Sequence, residues 1–358
     1  MLPATPGYMK FSTWGFSRQD WISGDSRKPC SSAIILRKRG PMRLPILYLA
    51  PMHGVTNRVY RNAFFRHFGG FDAAMAPFIP SANSSDMKAT HFKDILADSG
   101  ARVPVIPQVM SNDAAGFVMT ARKVSALGYS EVNWNLGCPY PMIANKQRGA
   151  GLLPYPEKID RFLEKVCSGV DMAISVKLRL GMYDQKEILD LMPILNGYPL
   201  LKLIIHARIG TQMYGGDVDL EGFQAALSLS AHPVVYNGDI KDTATFEALR
   251  LRFPLVNEWM IGRWALSNPF IASTIRGAAL PDDPVGVIHQ FHDDLYACYR
   301  RVLYGPRHVL DKMKEIWSYL APSFSGSGTV LKSIGQARTL EAFERTACVV
   351  FEEGQWLS

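Results

Sequence analysis

Residues 131–139 read Glu-Val-Asn-Trp-Asn-Leu-Gly-Cys-Pro, a short apolar run that ends in a turn. The run predicts a β-strand, and Gly137 and Pro139 then bend the backbone so that the thiol of Cys138 lies just past the strand end. Chemistry on α/β scaffolds is commonly placed at such strand ends. A free thiol has a pKa of about 8.5, so Cys138 would be mostly protonated at neutral pH and able to donate a proton. The alternative is a small buried apolar residue, the commoner role of a free cysteine.

Similar β-branched, apolar runs recur along the chain, and each is followed by turn residues and a stretch with helical periodicity. The predicted strands are Ile46–Ala50, Asp72–Ala76, Val103–Val109, Glu131–Leu136, Ile174–Leu178, Leu203–His206, Val234–Asn237 and Trp259–Gly262. Helices are predicted, among others, over Ala114–Leu127, Glu157–Val166 and Thr243–Leu251. Alternating strands and helices indicate βαβ units and a parallel sheet. Eight units in about 240 residues match the size of a (β/α)₈ TIM barrel. A doubly wound sheet is the alternative, but no Gly-x-Gly-x-x-Gly follows the first strand.

A barrel places its active site at the carboxyl ends of its strands, so chemically able residues should gather there. The residues at these ends are Pro51, Met52, Gln108, Asn135, Cys138, Lys177, Arg179, His206, Arg208, Asn237, Asp239, Gly262 and Arg263. Any one of them alone is ordinarily a solvated strand end or a satisfied polar group of the core. Because they occur at seven of the eight strand ends, together they favour a functional site.

The last two strand ends have the composition of a phosphate site. Loops after the seventh and eighth strands often bind phosphate in these barrels. Gly238 and Gly262 would let backbone amides approach an anion closely, and Arg263 offers a planar fork of donors. A phosphorylated cofactor or substrate is therefore expected.

Lys177 would lie deeper, facing the barrel axis together with His206. A lysine in that place can stabilise negative charge on a reduced flavin ring. It can also form a Schiff base with a carbonyl substrate. The spacing alone leaves both roles open.

Six motifs, in this order, resemble those of the tRNA-dihydrouridine synthases. They are Leu-Ala-Pro-Met-His-Gly-Val-Thr-Asn (49–57), Asn-Leu-Gly-Cys-Pro (135–139), Gly-Ala-Gly-Leu-Leu (149–153), Ser-Val-Lys-Leu-Arg (175–179), Asn-Gly-Asp (237–239) and Ile-Gly-Arg (261–263). The resemblance runs from about Leu44 to about Phe343. It implies an FMN-bound barrel with a C-terminal helical domain. It also implies an enzyme that reduces uridines in tRNA with NADPH as the electron source.

The resemblance also assigns roles to residues. FMN would be held by Pro51, Met52, Gln108, Lys177, His206, Asn237, Asp239, Gly262 and Arg263. Cys138 would protonate the uracil, and Asn135 and Tyr214 would contact it. Further substrate contacts are expected from Arg179, Arg208, Lys146 and Arg148, and no metal site is expected. The chain departs from the family at His53, where many members have an acidic residue.

Charge and composition suggest three segments. Residues 1–43 hold eight Lys or Arg and two Asp, so the rest of the chain carries only about +1 of the net charge of +7. We expect a basic, flexible extension over 1–43, a barrel over 44–280 and a helical tRNA-binding domain over 284–358. Within the last segment, Ile288, Phe291, Leu295 and Val302 recur at helical spacing and predict a core-facing stripe. A second predicted stripe comprises Val309, Met313, Ile316, Trp317 and Leu320.

A basic patch on these helices is the expected tRNA contact, since phosphates attract Lys and Arg. It comprises Arg300, Arg301, Arg307, Lys312 and Lys314, with Asp311 as the one acid among residues 300–314. An ordinary solvated face is the alternative.

The remaining features suit a cytoplasmic protein. Its five cysteines lack metal-ligand spacing and suit a reducing compartment. No apolar run approaches the roughly 20 residues that span a bilayer. We expect a monomer that requires no protein partner. Three other functions stay open: an FMN barrel that reduces a small molecule, a non-catalytic flavin-retaining RNA-binding protein, and a Schiff-base aldolase.

Overall fold

The computed structural model describes residues 44–81, 87, 89–96 and 101–357. These residues belong to one compact unit. The predicted N-terminal extension over 1–43 lies outside the described residues.

The strands of the described residues form one parallel sheet that closes on itself. They are β1 (Ile46–Leu49), β2 (Ala73–Met75), β3 (Ile79–Pro80), β4 (Val105–Ile106), β5 (Gln108–Met110), β6 (Glu131–Leu136), β7 (Ala173–Gly181), β8 (Leu203–Ile209), β9 (Val234–Asn237) and β10 (Glu258–Ile261). Their order is β3-β5-β6-β7-β8-β9-β10-β1-β2-β4. The predicted strand Val103–Val109 is split at Pro107, because proline has no N–H to donate. The first part, β4, pairs with β2, and the second part, β5, pairs with β3 and β6. The ring of pairing is thus complete, which confirms the barrel and excludes the doubly wound sheet.

Helices follow the strands and cover the barrel. They are α1 (Arg58–His67), α2 (Ala114–Ala126), α3 (Pro141–Ala144), α4 (Pro156–Gly169), α5 (Glu187–Asn196), α6 (Leu220–Leu229), α7 (Thr243–Arg252), α8 (Arg263–Ser267) and α9 (Ile271–Ile275). Side-chain N-caps fix several starts: Asp113 accepts from two amides of α2, and Asp219 and Asp242 cap α6 and α7. The three helices predicted above are therefore found within three residues of their predicted bounds.

The barrel interior divides into an apolar and a polar half. The apolar half comprises Tyr48, Ala50, Ala73, Met75, Ile106, Ile204, Val235 and Met260. The polar half comes from β5, β6 and β7 and contains Gln108, Asn133, Asn135 and Ser175, all buried. Buried amides are retained only where hydrogen bonds satisfy them, so the polar half must be an ordered network.

Four helices follow the barrel: α10 (Pro284–Val302), α11 (Pro306–Leu320), α12 (Ser327–Gln336) and α13 (Leu340–Glu353). Phe291 of α10 packs against Phe68 of the barrel with ring centroids 5.1 Å apart. The two predicted apolar stripes are buried except for Val302. The prediction that Val302 faces the core was wrong, because α10 ends at this residue and leaves it 58% exposed.

None of the helices seen in the described ranges combines the length and apolar character that a membrane crossing needs. Those ranges also contain no group of three or more His, Cys, Asp or Glu side chains placed to hold a metal ion.

Candidate active site

A cleft opens at the carboxyl ends of the barrel strands. The predicted residues that line it are Pro51, Met52, Gln108, Asn135, Cys138, Lys177, Arg179, His206, Tyr214, Asn237, Asp239, Gly262 and Arg263. Residues from all parts of the barrel thus converge on one place. The barrel geometry requires this, because the carboxyl ends of parallel strands meet at one face.

The loop after β6 holds the thiol at the cleft wall. The side-chain oxygen Oδ1 of Asn135 accepts the backbone N–H groups of Gly137 and Cys138, each at 3.0 Å. Gly149 has a φ of +55° and lies so close that a Cβ there would be 2.6 Å from the carbonyl oxygen of Cys138. Only glycine fits that position, so the Gly-Ala-Gly-Leu-Leu segment serves to pack against the Cys138 loop.

The environment of Cys138 favours the protonated thiol. Burial raises its pKa, and the backbone amide of Tyr140 together with Arg179 and Lys177 offsets only part of that rise. Only 9% of the residue is exposed. Cys138 is therefore suited to donate a proton rather than to attack as a thiolate.

Lys177 places a partly buried amine in the same cleft. Burial, and to a lesser degree the charge of Arg179, lowers its pKa to about 7. Its Nζ donates to Oδ1 of Asn237 at 2.8 Å, whose own amide nitrogen donates to the carbonyl of Met260. An anionic ligand in the cleft would favour the charged form of this amine.

His206 is neutral in this cleft. Burial comes first in holding its pKa well below the usual range, and the surrounding cations Arg179, Lys177, Arg208 and Arg263 act in the same direction. Its imidazole can therefore act as a hydrogen-bond donor or acceptor without carrying charge.

Two predicted substrate contacts are engaged elsewhere. Arg179 is 1% exposed and donates to the carbonyls of Gly137, Ile209 and Met213. It lines the cleft, but its donors tie the Cys138 loop to the loop after β8. Arg208 is also 1% exposed, and it does not line the cleft. These two arginines hold loops in place, and contact of either one with the substrate stays a prediction.

Asp239 likewise holds neighbouring side chains in position. Its carboxylate lies 2.6 Å from Nη2 of Arg208 and 3.3 Å from Nη2 of Arg263. Burial acts to raise its pKa, but the two arginines hold it below the usual range. Arg263, about one-third exposed at the cleft, also donates to the carbonyl of Tyr214. Asp239 thus orients Arg263 rather than offering a free carboxylate.

Asn135 and Tyr214, the two predicted uracil contacts, have different neighbours in the cleft. Asn135 uses both lone pairs of its oxygen on the Cys138 loop and one N–H on Gln108, which leaves one N–H for a ligand. The Tyr214 ring lies between two cations, 5.4 Å from the guanidinium carbon of Arg179 and 5.1 Å from that of Arg263. Both side chains line the cleft.

Lys146 and Arg148 lie outside the lining of the cleft. Asn112 connects them, since its side chain accepts from Arg148 and donates to the carbonyl of Lys146. Both follow α3 on the surface beside the Cys138 loop.

Part of the cleft wall was not predicted from the sequence. Phe78 stacks on His53 with ring centroids 4.8 Å apart, and Tyr140 and Trp264 also line the cleft. The proximity of Tyr140 to Cys138 was the one available signal. The His53–Phe78 contact joins two different strand ends and has no local signal.

The predicted basic patch is only partly free. Lys312 pairs with Glu315 and donates to the carbonyl of Gly54, at the barrel mouth. Lys314 donates to the carbonyls of Gly335 and Ala337. Both lysines thus have partners within the fold, and their contact with tRNA phosphates stays a prediction. Arg300, Arg301 and Arg307 remain exposed.

Comparison with known proteins places the barrel and its cleft in a family. A family model described as dihydrouridine synthase (Dus) matches residues 48–333. The chain belongs to the dihydrouridine synthase family. The match covers every strand from β2 to β10, the loops after β6 and β8 that line the cleft, and helices α10 and α11.

Curated relatives agree with this family. The tRNA-dihydrouridine(16) synthase of Cupriavidus necator is 29% identical over 318 residues, which cover 84% of this chain and 98% of that protein. A tRNA-dihydrouridine synthase B of Vibrio vulnificus is 29% identical over 75% of this chain and 86% of its own length. A probable tRNA-dihydrouridine synthase of Rhodobacter capsulatus is 28% identical over 72% of this chain and 80% of its own.

Proposed function

We propose that this Dus family protein is a flavin-dependent tRNA-dihydrouridine synthase that reduces the C5–C6 double bond of uridines in tRNA. The observation that carries the proposal is the presence, in one family-matched cleft, of a buried protonated thiol at Cys138 and a partly buried amine at Lys177. Such a pair provides a proton donor and a cation for developing negative charge.

The residues of the cleft fit FMN as the cofactor. Among the described lining residues Asp239 is the one acid, and its charge is engaged by Arg208 and Arg263. Lys177, Arg179 and Arg263 leave the cleft positive, which suits a phosphate and an electron-rich ring. The proposal keeps Pro51, Met52, Gln108, Lys177, His206, Asn237, Asp239, Gly262 and Arg263 as the residues of the FMN site, with Asp239 acting through Arg263.

The reaction divides between the cofactor and the protein. When bound, the reduced flavin supplies a hydride, which adds to C6 of the uracil. Lys177 offers positive charge to the uracil oxygen on which negative charge develops. Cys138 then transfers the proton on its Sγ to C5, and its burial keeps water from competing for that proton. The base must first leave its stack in the folded RNA, at a cost of a few kcal/mol.

The proposal extends to NADPH as the reductant of the flavin and to tRNA as the substrate. It also includes a cytoplasmic location, a monomer and the division into a barrel over 44–280 and a tRNA-binding helical domain over 284–358. What supports the helical domain is its exposed group of three arginines, Arg300, Arg301 and Arg307.

Arg263→Ala is expected to weaken FMN retention. The side chain faces the cleft with donors suited to a phosphate, and a charge-assisted hydrogen bond contributes about 1.5–3 kcal/mol. Flavin released from equal amounts of purified variant and wild type on denaturation measures the change. Arg250→Ala, which removes an arginine from α7, is the control and should retain FMN. Equal flavin content in all three proteins would contradict the phosphate role.

Replacing Arg300, Arg301 and Arg307 by Gln is expected to weaken tRNA binding and flatten its dependence on salt. For each phosphate that the protein no longer neutralises, the slope of log K against log salt should become shallower by roughly 0.7–0.9. The charge-matched control replaces Arg122, Arg250 and Arg252, on the barrel helices α2 and α7. Reduction of the bound flavin by NADPH should be unchanged in both triple variants.

Two outcomes would move the tRNA surface. If the control triple weakens binding as much, total charge rather than this patch determines affinity. If removal of residues 1–41 abolishes tRNA binding while the three-arginine variant binds normally, the surface lies at the other end of the chain.

Dihydrouridine mapping tests the function itself. tRNA from cells that lack this protein should lose dihydrouridine at one or more positions, and re-expression should restore it. Unchanged dihydrouridine, with reduction of a small molecule by the purified protein, would favour the small-molecule reductase instead.

A further inference from the structure

A continuous chain of side-chain hydrogen bonds runs through the polar half of the barrel interior. It begins at the amino-terminal end of β6, where Glu131 Oε1 accepts the hydroxyl of Ser175 at 2.6 Å. Ser175 Oγ in turn accepts Nδ2 of Asn133 at 2.9 Å. Ser175 and Asn133 are paired across β6 and β7 and are fully buried.

The chain continues to the cleft. Oδ1 of Asn133 accepts Nε2 of Gln108 at 2.8 Å, and Oε1 of Gln108 accepts Nδ2 of Asn135 at 2.7 Å. Oδ1 of Asn135 accepts the two backbone amides of the Cys138 loop. We call Glu131, Ser175, Asn133, Gln108 and Asn135 the interior hydrogen-bond chain.

Both ends of the interior hydrogen-bond chain impose the same direction on it. An ionised carboxylate only accepts, so Glu131 obliges Ser175 to donate towards it. Backbone N–H groups only donate, so Asn135 must turn its oxygen towards Gly137 and Cys138. Every amide between them therefore has its nitrogen towards Glu131 and its oxygen towards the cleft. A single inverted amide would set two donors, or two acceptors, against each other in a buried place, which is costly.

We propose that the interior hydrogen-bond chain positions Cys138, so that Glu131 and Ser175, at the far end of the barrel from the cleft, are positioning residues for the proton donor. If the chain is broken below Asn135, the constraint from the Glu131 end is lost, and only the backbone amides of Gly137 and Cys138 still orient the Asn135 amide. The loop that carries Cys138 is then bonded to a less rigidly held acceptor and opens to water more often. The inference rests on the proposed function only for what Cys138 does, not for how it is held.

Glu131 also belongs to an ionic cluster at the same end of the barrel, which supplies a matched control. Lys202 lies 3.6 Å from Glu131 and 3.8 Å from Glu258, and the hydroxyl of Tyr48 donates to Glu258 at 2.6 Å. Ser175→Ala and Tyr48→Phe each remove one hydroxyl from this layer. Only Ser175 is a link of the interior hydrogen-bond chain.

The test is the alkylation rate of Cys138 by iodoacetamide in the full-length protein as purified, followed by peptide mass spectrometry. Cys348, which is exposed on α13, is the internal reference. Ser175→Ala should raise the Cys138 rate about tenfold, equivalent to loss of one buried hydrogen bond, and shift its pH profile to lower pH. Cys348 should not change. Tyr48→Phe should leave the Cys138 rate unchanged. So should Glu131→Gln, whose amide oxygen can still accept from Ser175.

The outcomes separate this inference from the proposed function. A wild-type rate in Ser175→Ala, or an equal rise in Tyr48→Phe, would overturn it. If Ser175→Ala does not fold, Asn133→Leu breaks the same link with a side chain of similar size, and the same comparison applies. In tRNA reduction, Ser175→Ala should lower kcat with little change in KM for tRNA. If the wild-type protein reduces no tRNA, the proposed function is wrong, but the alkylation result still holds.

Discussion

Cys138→Ala should retain its flavin, accept electrons from NADPH and yet lose about 10²–10⁴-fold of its tRNA reduction, the usual contribution of a positioned general acid. The reason is that the thiol acts only after hydride transfer, as the source of the second hydrogen. Stopped-flow reduction of the flavin by NADPH and its reoxidation by tRNA measure the two half-reactions separately.

Cys348→Ala is the matched control, because that thiol is exposed on α13 and outside the cleft. It should be normal in both half-reactions, as should variants of Cys167 and Cys298. If Cys138→Ala reoxidises with tRNA at nearly the wild-type rate, another group delivers the proton, and the neutral His206 becomes the first candidate.

Lys177→Met should stabilise the flavin-free protein while it weakens FMN binding and tRNA reduction. The pKa of Lys177 falls from 10.5 to about 7 in the folded chain. Each unit corresponds to about 1.4 kcal/mol, so the partly buried amine destabilises the fold by an amount on the order of a few kcal/mol. Because the folded state disfavours the proton, this penalty is complete below pH 7 and disappears as the pH rises towards 10.5.

Thermal unfolding of the flavin-free protein from about pH 6 to about pH 10 measures the effect. The gain in Tm of Lys177→Met over wild type should be largest at the low end and shrink towards the high end. Lys202→Met is the control, since it removes a lysine that pairs with Glu131 and Glu258. It should lower Tm, because two carboxylates then face each other. If the Tm of Lys177→Met is below that of wild type at the acidic end of the range, the protonated amine of Lys177 does not destabilise the folded protein.

The sequence could predict the barrel and most of the cleft because both depend on local patterns. Alternation of strands and helices determines the topology, and a parallel barrel brings every strand end to one face. The predicted strands therefore carried Lys177, His206 and Asn237 to the correct place without knowledge of any contact.

The roles of the arginines could not be predicted in this way. Arg179 and Arg208 end strands like the residues that line the cleft, but each has a partner on another strand or the loop after it: Arg179 donates to the carbonyl of Ile209, and Arg208 donates to the carboxylate of Asp239. Lys314 looks like a surface cation in the sequence, and only the approach of α12 and its C-terminal turn shows that its charge is engaged. Such contacts depend on tertiary packing.

The polar half of the barrel interior is an intermediate case. Glu131, Asn133 and Asn135 alternate with apolar residues, as a strand with two different faces does. The alternation is visible in the sequence, but which face points into the barrel is not. The structure shows that the polar face points inwards, and the same run that predicted the Cys138 strand also contains three links of the interior hydrogen-bond chain.

The most direct test of the account is a single-turnover reaction with the purified full-length protein. The protein is reduced with NADPH, freed of excess reductant and mixed with tRNA that lacks modifications, and dihydrouridine is then measured by mass spectrometry. We expect FMN on denaturation of the protein, and dihydrouridine in the tRNA in an amount that does not exceed the bound flavin. A protein that cannot be loaded with FMN, or reduced flavin that persists in the presence of tRNA without formation of dihydrouridine, would contradict the account.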